Sequence, residues 1–210
     1  MKLYGFPPSP NTWQVRALAA HLGVPLELEF VDLSKGASRT AAFLALNPTG
    51  RTPVLVDGDF KLWESQAIMQ YVASKSANAL WPNDARTRAD ITRWQSWMIA
   101  HWNAQCWAPV LTERFVKKLL NLGPSDEAVI AKGVEAYNKE AAMLDAHLTK
   151  QKNLVGDTLT VADFSVAAPM FYAKQAELPL APYPRLRGWF ERVAALPCWG
   201  ETAAQMPAAA

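Results

Sequence analysis

The stretch "GRTPVLVDGDFKLWESQAI", residues 50 to 68, decides how this chain folds. PVLV (53–56) and FKLW (60–63) are short apolar runs, and the Asp57-Gly58 pair between them is a favoured two-residue hairpin turn. Pro53 has no N–H to give to a sheet ladder, so it belongs at a strand start or edge. On its own it reads as the trans beginning of a strand, because only about 5–6% of X-Pro bonds are cis in folded proteins. Glu64-Ser65 then opens a helix over 65–76, since serine is a favoured N-cap and an acid suits the first turn.

Working outward, KLYGF (2–6) is a short strand and residues 11–22 carry Val15, Leu18, Ala19 and Leu22 at helical spacing, stopped by Gly23. LELEFV (26–31) alternates apolar and polar residues, as a strand with one buried face does. A short helix near 39–46 ends at Asn47-Pro48. The order βαβ, helix, ββα builds a small mixed sheet with helices on its faces. Residues 77–86 read as a linker, and no strand is expected beyond it. A helical stretch over 86–121, bent at Pro109, stops at Gly123-Pro124. Ser125, Asp126 and Glu127 start the next helix, which runs to about 149. Thr160-Val161-Ala162-Asp163 is a capping box flanked by Leu159 and Phe164 as a staple, and Pro184 opens a last helix. The expected fold is therefore α/β plus all-α, with domains at 1–77 and 86–205.

Composition excludes several classes. Half of the 210 residues are hydrophobic and 19% are charged, enough for a sizeable core. The net charge of +2, without a basic run, argues against nucleic acid. No stretch approaches the roughly 18 apolar residues of a membrane span, and MKLYGFPPSP lacks the apolar segment of a signal peptide. Cys106 and Cys198 form no CxxC pair, which suits a reducing cytoplasm. His21, His101 and His147 have no metal-ligand spacing. Trp94, Trp97, Trp102 and Trp107 share one helical stretch, and an aromatic stripe of that kind is usually core. Ser9-Pro10 reads locally as an N-cap followed by proline at the first helical position.

Three motifs, GFPPSPNTWQV, NPTGRTPVLVDGDFKLWESQAI and TLTVADFSVA, together resemble the cytosolic glutathione transferases, most of all bacterial, serine-type members of theta- and phi-like character. The resemblance covers nearly the whole chain. It implies a thioredoxin-like N-terminal domain followed by an all-helical domain, a homodimer, no metal and no redox cofactor. Glutathione would be a co-substrate, and the second substrate a hydrophobic electrophile that receives the glutathione sulfur.

The resemblance also assigns residues. It implies a cis bond at Thr52-Pro53, which turns the Thr52 backbone outward to pair with the extended tripeptide. It places the γ-glutamyl carboxylate at Ser65 and the α-ammonium near Glu64, with Arg51 and Arg39 as further glutathione contacts; Lys35 is a weaker alternative. Ser9 falls where serine-type members carry the hydroxyl that donates to the thiolate, with Asn11 and Thr12 as alternatives on the same loop. Phe6, Trp13, Trp107 and Phe115 are candidate walls for the electrophile. The first loop, residues 7–14, has no cysteine, so a mixed disulfide is not expected there. Isomerase, dehalogenase or peroxidase chemistry on the same scaffold is the alternative, as is a non-catalytic binding protein.

Overall fold

The hairpin forms where Asp57-Gly58 places it. In the computed structural model, which describes residues 1–203, β3 (Val54–Asp57) and β4 (Phe60–Trp63) pair antiparallel, with Gly58 at φ 64° in the turn. β1 (Lys2–Gly5) pairs antiparallel with β3 and parallel with β2 (Glu27–Phe30), giving the sheet order β2-β1-β3-β4. Leu3, paired with Leu28 and Leu55, points to one face, while Tyr4, paired with Val54, points to the other.

α1 (Pro10–His21) and α3 (Ser65–Ala73) pack together, burying Val15, Leu18, Ile68, Met69 and Val72. Gly5 lets α1 come close: a Cβ there would stand 2.5 Å from the Thr12 methyl carbon. On the opposite face, Tyr4 and Val54 meet Phe43 of α2 (Ala41–Leu44), which follows a 3₁₀ turn at Ala37–Arg39. β2 is one of the two edge strands and Phe30 is 46% exposed, so its expected buried face is only half realised. An edge strand has a neighbour on one side only.

The chain divides into two units, one of Met1–Trp81 with the segment from Ala195 onward, the other of Pro82–Ala194. The expected second domain ran to 205. Its last two residues lie outside the described ones, and α11 (Pro197–Ala203) packs on α1 within the first unit. There the Trp13 indole N–H donates to Thr202 Oγ1 at 2.8 Å and the Trp13 ring meets Trp199 edge-on.

The second unit is helical. α4 (Ala85–Trp97) continues through π-helical turns at Met98–Trp107 into α5 (Ala108–Leu111), a second π-helical turn at Thr112–Val116, and α6 (Lys117–Leu119). The expected irregularity at Pro109 takes this form. A proline cannot donate to the carbonyl four residues back and its ring crowds it, which the wider turn relieves. α7 (Glu127–His147) lies close to α5 because Gly133 has no Cβ; one would stand 2.4 Å from Val110. α8 (Val161–Ala167), a 3₁₀ turn at Ala168–Tyr172, α9 (Ala173–Ala176) and α10 (Pro184–Ala194) complete the unit.

The aromatic stripe is core: Trp94, Trp102 and Trp107 are buried, and Trp102 stacks on Tyr137 with centroids 5.5 Å apart. The capping box is a closed network. Asp163 Oδ2 accepts from the Thr160 N–H and hydroxyl, and Oδ1 from the Leu154 N–H and the Trp189 indole, at 2.8 to 3.0 Å. Burial pushes the Asp163 carboxyl up in pKa, and these four donors pull it back. Among the described residues no helix is long and apolar enough to cross a membrane.

Candidate active site

In the first unit the N-termini of α1 and α3 meet the loop before β3. Asn11, Asn47, Arg51, Thr52, Pro53, Glu64 and Ser65 line a cleft of about 90 Å³. Five of the six sequence candidates for glutathione contact, Arg51, Thr52, Pro53, Glu64 and Ser65, are thereby brought together. The Thr52-Pro53 bond is cis, as the resemblance implies.

Ser9 is the N-cap residue of α1 by backbone, at φ −66° and ψ 128°, and its carbonyl accepts from the N–H groups of Thr12 and Trp13. Its hydroxyl makes no capping bond. The local N-cap role of the side chain is therefore unfilled, and the hydroxyl is free to face a ligand at the positive end of a helix. Thr12 differs. It is fully buried against Gly5, with its hydroxyl oxygen enclosed and no hydrogen-bond partner in the structure. Asn11 lines the cleft, and its Oδ1 accepts from Gln14 Nε2 at 3.2 Å.

α3 also begins without a side-chain cap. Glu64, its N-cap residue, has φ 71° and ψ 114°, a backbone conformation that costs a non-glycine residue about 1–3 kcal/mol. Glu64 and Ser65, which open α3, both line the cleft, and the free N–H groups of a helix start stabilise a carboxylate. Ser65 is 6% exposed; its hydroxyl donates to Gln66 Oε1 and accepts from Gln14 Nε2.

Two buried residues that hold this site were missed in the sequence. Asn47, read there only as a helix stop, donates from Nδ2 to the Arg51 carbonyl at 2.7 Å and accepts from Thr49 through Oδ1, which fixes the loop running into Thr52. An Asn-Pro-Thr-Gly run is a turn signal that points to such a role. Gln14 carried no such signal. Arg39 lies outside the cleft lining, with Nη1 3.3 Å from the Thr49 carbonyl and packed over Gly50. Lys35 pairs with Asp32 at 3.4 Å.

The four candidates for the electrophile are placed differently. Phe6 is partly exposed and packs against Phe30 at 6.2 Å, and Phe115 is partly exposed in the helical unit. Trp13 and Trp107 are core residues of their own units. Both cysteines are buried, and burial pushes Cys106 up to about 12 and Cys198 up to about 11. Neither is a thiolate at neutral pH. Among the described residues no group of three or more His, Cys, Asp or Glu side chains could hold a metal ion.

A four-stranded mixed sheet with a cis-proline beside an uncapped helix start, followed by a helical unit, is a thioredoxin-like fold joined to a helical domain. Comparison with known proteins makes the class specific. Residues 1–74 match the family model described as "Glutathione S-transferase, N-terminal domain", and residues 98–197 match "Glutathione S-transferase, C-terminal domain". The chain is 37% identical to "Glutathione S-transferase 3" of Zea mays over 99% of its own length and 95% of that protein. It is 29% identical to "Glutathione S-transferase GstB" of Escherichia coli strain K12, over 93% of each chain. Among solved structures, glutathione transferase F7 from Populus trichocarpa superposes with a TM-score of 0.89 at 28% identity, over 98% of this chain and 99% of that one. A glutathione S-transferase-I bound with lactoylglutathione superposes with a TM-score of 0.87 at 27% identity, over 97% and 98% of the two chains. The chain belongs to the glutathione S-transferase family.

Proposed function

We propose that this glutathione transferase works by holding glutathione as a thiolate at the N-terminus of α1 and delivering its sulfur to the electrophilic carbon of an apolar compound. The observation that carries the reading is the Ser9 hydroxyl, which sits at a helix start, two residues from the cleft, and caps nothing. The extended tripeptide pairs with the Thr52 main chain. Its γ-glutamyl carboxylate meets Ser65 and the first N–H groups of α3, its α-ammonium meets Glu64, and Arg51 supplies a cation at the rim.

A free thiol titrates near 8.5, and lowering it by about 2 units takes about 2.7 kcal/mol of preference for the thiolate. One hydrogen bond to a charged group supplies about 1.5–3 kcal/mol, and a helix end about 0.3–1 more. The two together suffice without a general base. The thiol proton leaves to solvent. The sulfur lone pair forms the C–S bond, and the leaving group departs with the electron pair of the bond it breaks. Placing both substrates side by side supplies the rest of the rate. The protein works in the cytoplasm as a homodimer, the assembly that the resemblance implies.

The test is calorimetric titration with glutathione, followed by turnover of a chlorinated nitroaromatic. Wild-type protein binds glutathione and forms the conjugate. Ser9→Ala keeps the binding and loses roughly 10- to 100-fold in turnover, the equivalent of one charge-assisted hydrogen bond. No heat of binding at millimolar glutathione overturns the reading, and unchanged turnover in Ser9→Ala removes Ser9 from its role.

A further inference from the structure

Gln14 is 1% exposed, yet its side chain is a primary amide. It lies one helical turn beyond Asn11 on the same face of α1, the spacing at which glutamine and asparagine side chains meet. Its Nε2 donates in two directions, to Asn11 Oδ1 at 3.2 Å and to Ser65 Oγ at 3.4 Å. Its Oε1 is enclosed and has no hydrogen-bond partner in the structure. Buried amides that leave one end unsatisfied are rare, and each calls for a reason. A methionine would fill the same volume without that defect, so packing alone does not account for glutamine.

The two acceptors supply the reason. Asn11 and Ser65 stand on different helices, and both line the cleft. By giving a proton to Asn11 Oδ1, Gln14 fixes which edge of that amide faces inward, and the free edge then carries the Nδ2 hydrogens. By giving a proton to Ser65 Oγ, whose own proton goes to Gln66 Oε1, it helps to hold that hydroxyl at the start of α3. From this geometry we infer that Gln14 is a positioning residue for glutathione, one that presents Asn11 as a second N–H donor to the sulfur and, through Ser65 Oγ, ties α1 to the start of α3 where the γ-glutamyl carboxylate binds. The inference rests on the reading of the cleft given above.

Two isosteric variants test it. Gln14→Met removes both hydrogen bonds at constant volume. Gln14→Glu keeps the shape and reverses the polarity, because a carboxylate only accepts; it draws the Asn11 amide hydrogens toward itself and turns Oδ1 to the cleft. The charged groups lining the cleft, Arg51 and Glu64, are the same in every variant. The readouts are the ultraviolet thiolate absorbance of bound glutathione against pH, and KM for glutathione measured apart from kcat at saturation.

For Gln14→Met the thiol midpoint rises by about 0.5–1 pH unit, as loss of one donor dictates, and KM for glutathione rises roughly 3- to 10-fold. Gln14→Glu moves the midpoint further in the same direction, through the turned amide and its own negative charge together, so the neutral Gln14→Met and Asn11→Ala variants carry the distinction from a packing role. Asn11→Ala, at a partly exposed site, reproduces the midpoint shift of Gln14→Met, and the double variant adds nothing to it. An unmoved midpoint and KM in folded Gln14 variants, or a normal midpoint in Asn11→Ala, overturns the inference while leaving glutathione binding intact. A wild-type protein that binds no glutathione overturns both.

Discussion

The helix starts at the cleft and those in the helical unit are built on opposite plans. In the helical unit, α4, α7, α8 and α10, the helices that do not simply continue a preceding helical turn, are closed by side chains. Asp84 accepts from the Thr87 N–H, Asp126 from the N–H groups of Ala128 and Val129, and Asp163 closes the start of α8. Even α10 is capped from a distance, with Asp145 of α7 accepting from the N–H groups of Arg185 and Leu186. In the first unit α2 follows the same plan through Thr40. The two helices that border the cleft do not: neither Ser9 nor Glu64 caps with its side chain. Exposed N–H groups are a defect in a helix that only has to be stable and an asset in one that must hold an anion. The difference marks the site without reference to any ligand.

The contrast can be broken most severely at its closed end. Asp163→Ala strands four donors in the core and costs about 3–5 kcal/mol, much of the stability of an ordinary domain. Urea unfolding followed by circular dichroism measures this, and a cost below about 1 kcal/mol means that the network is not what holds α8. Next comes Asp126→Ala, which removes an ordinary cap and costs about 1 kcal/mol. In the same assay Ser9→Ala changes stability by less than about 0.5 kcal/mol. Equal losses at the two positions erase the distinction between open and closed ends.

The smallest effect concerns the cysteines. Their folded thiols titrate far above the unfolded value near 8.5, so they stay protonated in the native state through the assay range. Because the unfolded chain releases these protons first, stability falls as pH rises above about 8.5. The Cys106→Ala, Cys198→Ala double variant weakens that alkaline loss and leaves the pH midpoint of turnover where it was. A shifted midpoint in pH–rate profiles means that a protein thiol, and not glutathione, was being titrated.

Much of this was legible in the sequence because it is local. Asp57-Gly58 specifies its own turn, Thr160 and Asp163 specify their own cap, and the tryptophan spacing specifies a buried face. Pro53 was less so: taken alone it favours trans, and only the motif around it pointed to cis. What stayed hidden depends on partners distant in sequence. Gln14 reads as an ordinary polar residue until Ser65 is placed beside it, 51 residues away. Arg39 reads as a free cation until its guanidinium is found over the Thr49 carbonyl. The hydroxyl of Ser9 reads as a cap because serine before proline usually is one; only coordinates reveal that this one is not.

Because Glu64 stands at φ 71°, any replacement there faces two separate filters. The backbone admits glycine, and asparagine or aspartate with little difficulty, but rejects branched side chains. The proposed ammonium contact admits only an acid. Aspartate alone passes both, with a shorter reach, so this position has almost no neutral neighbours in sequence space and a redesign of the cleft is better begun at Arg51 or Asn11.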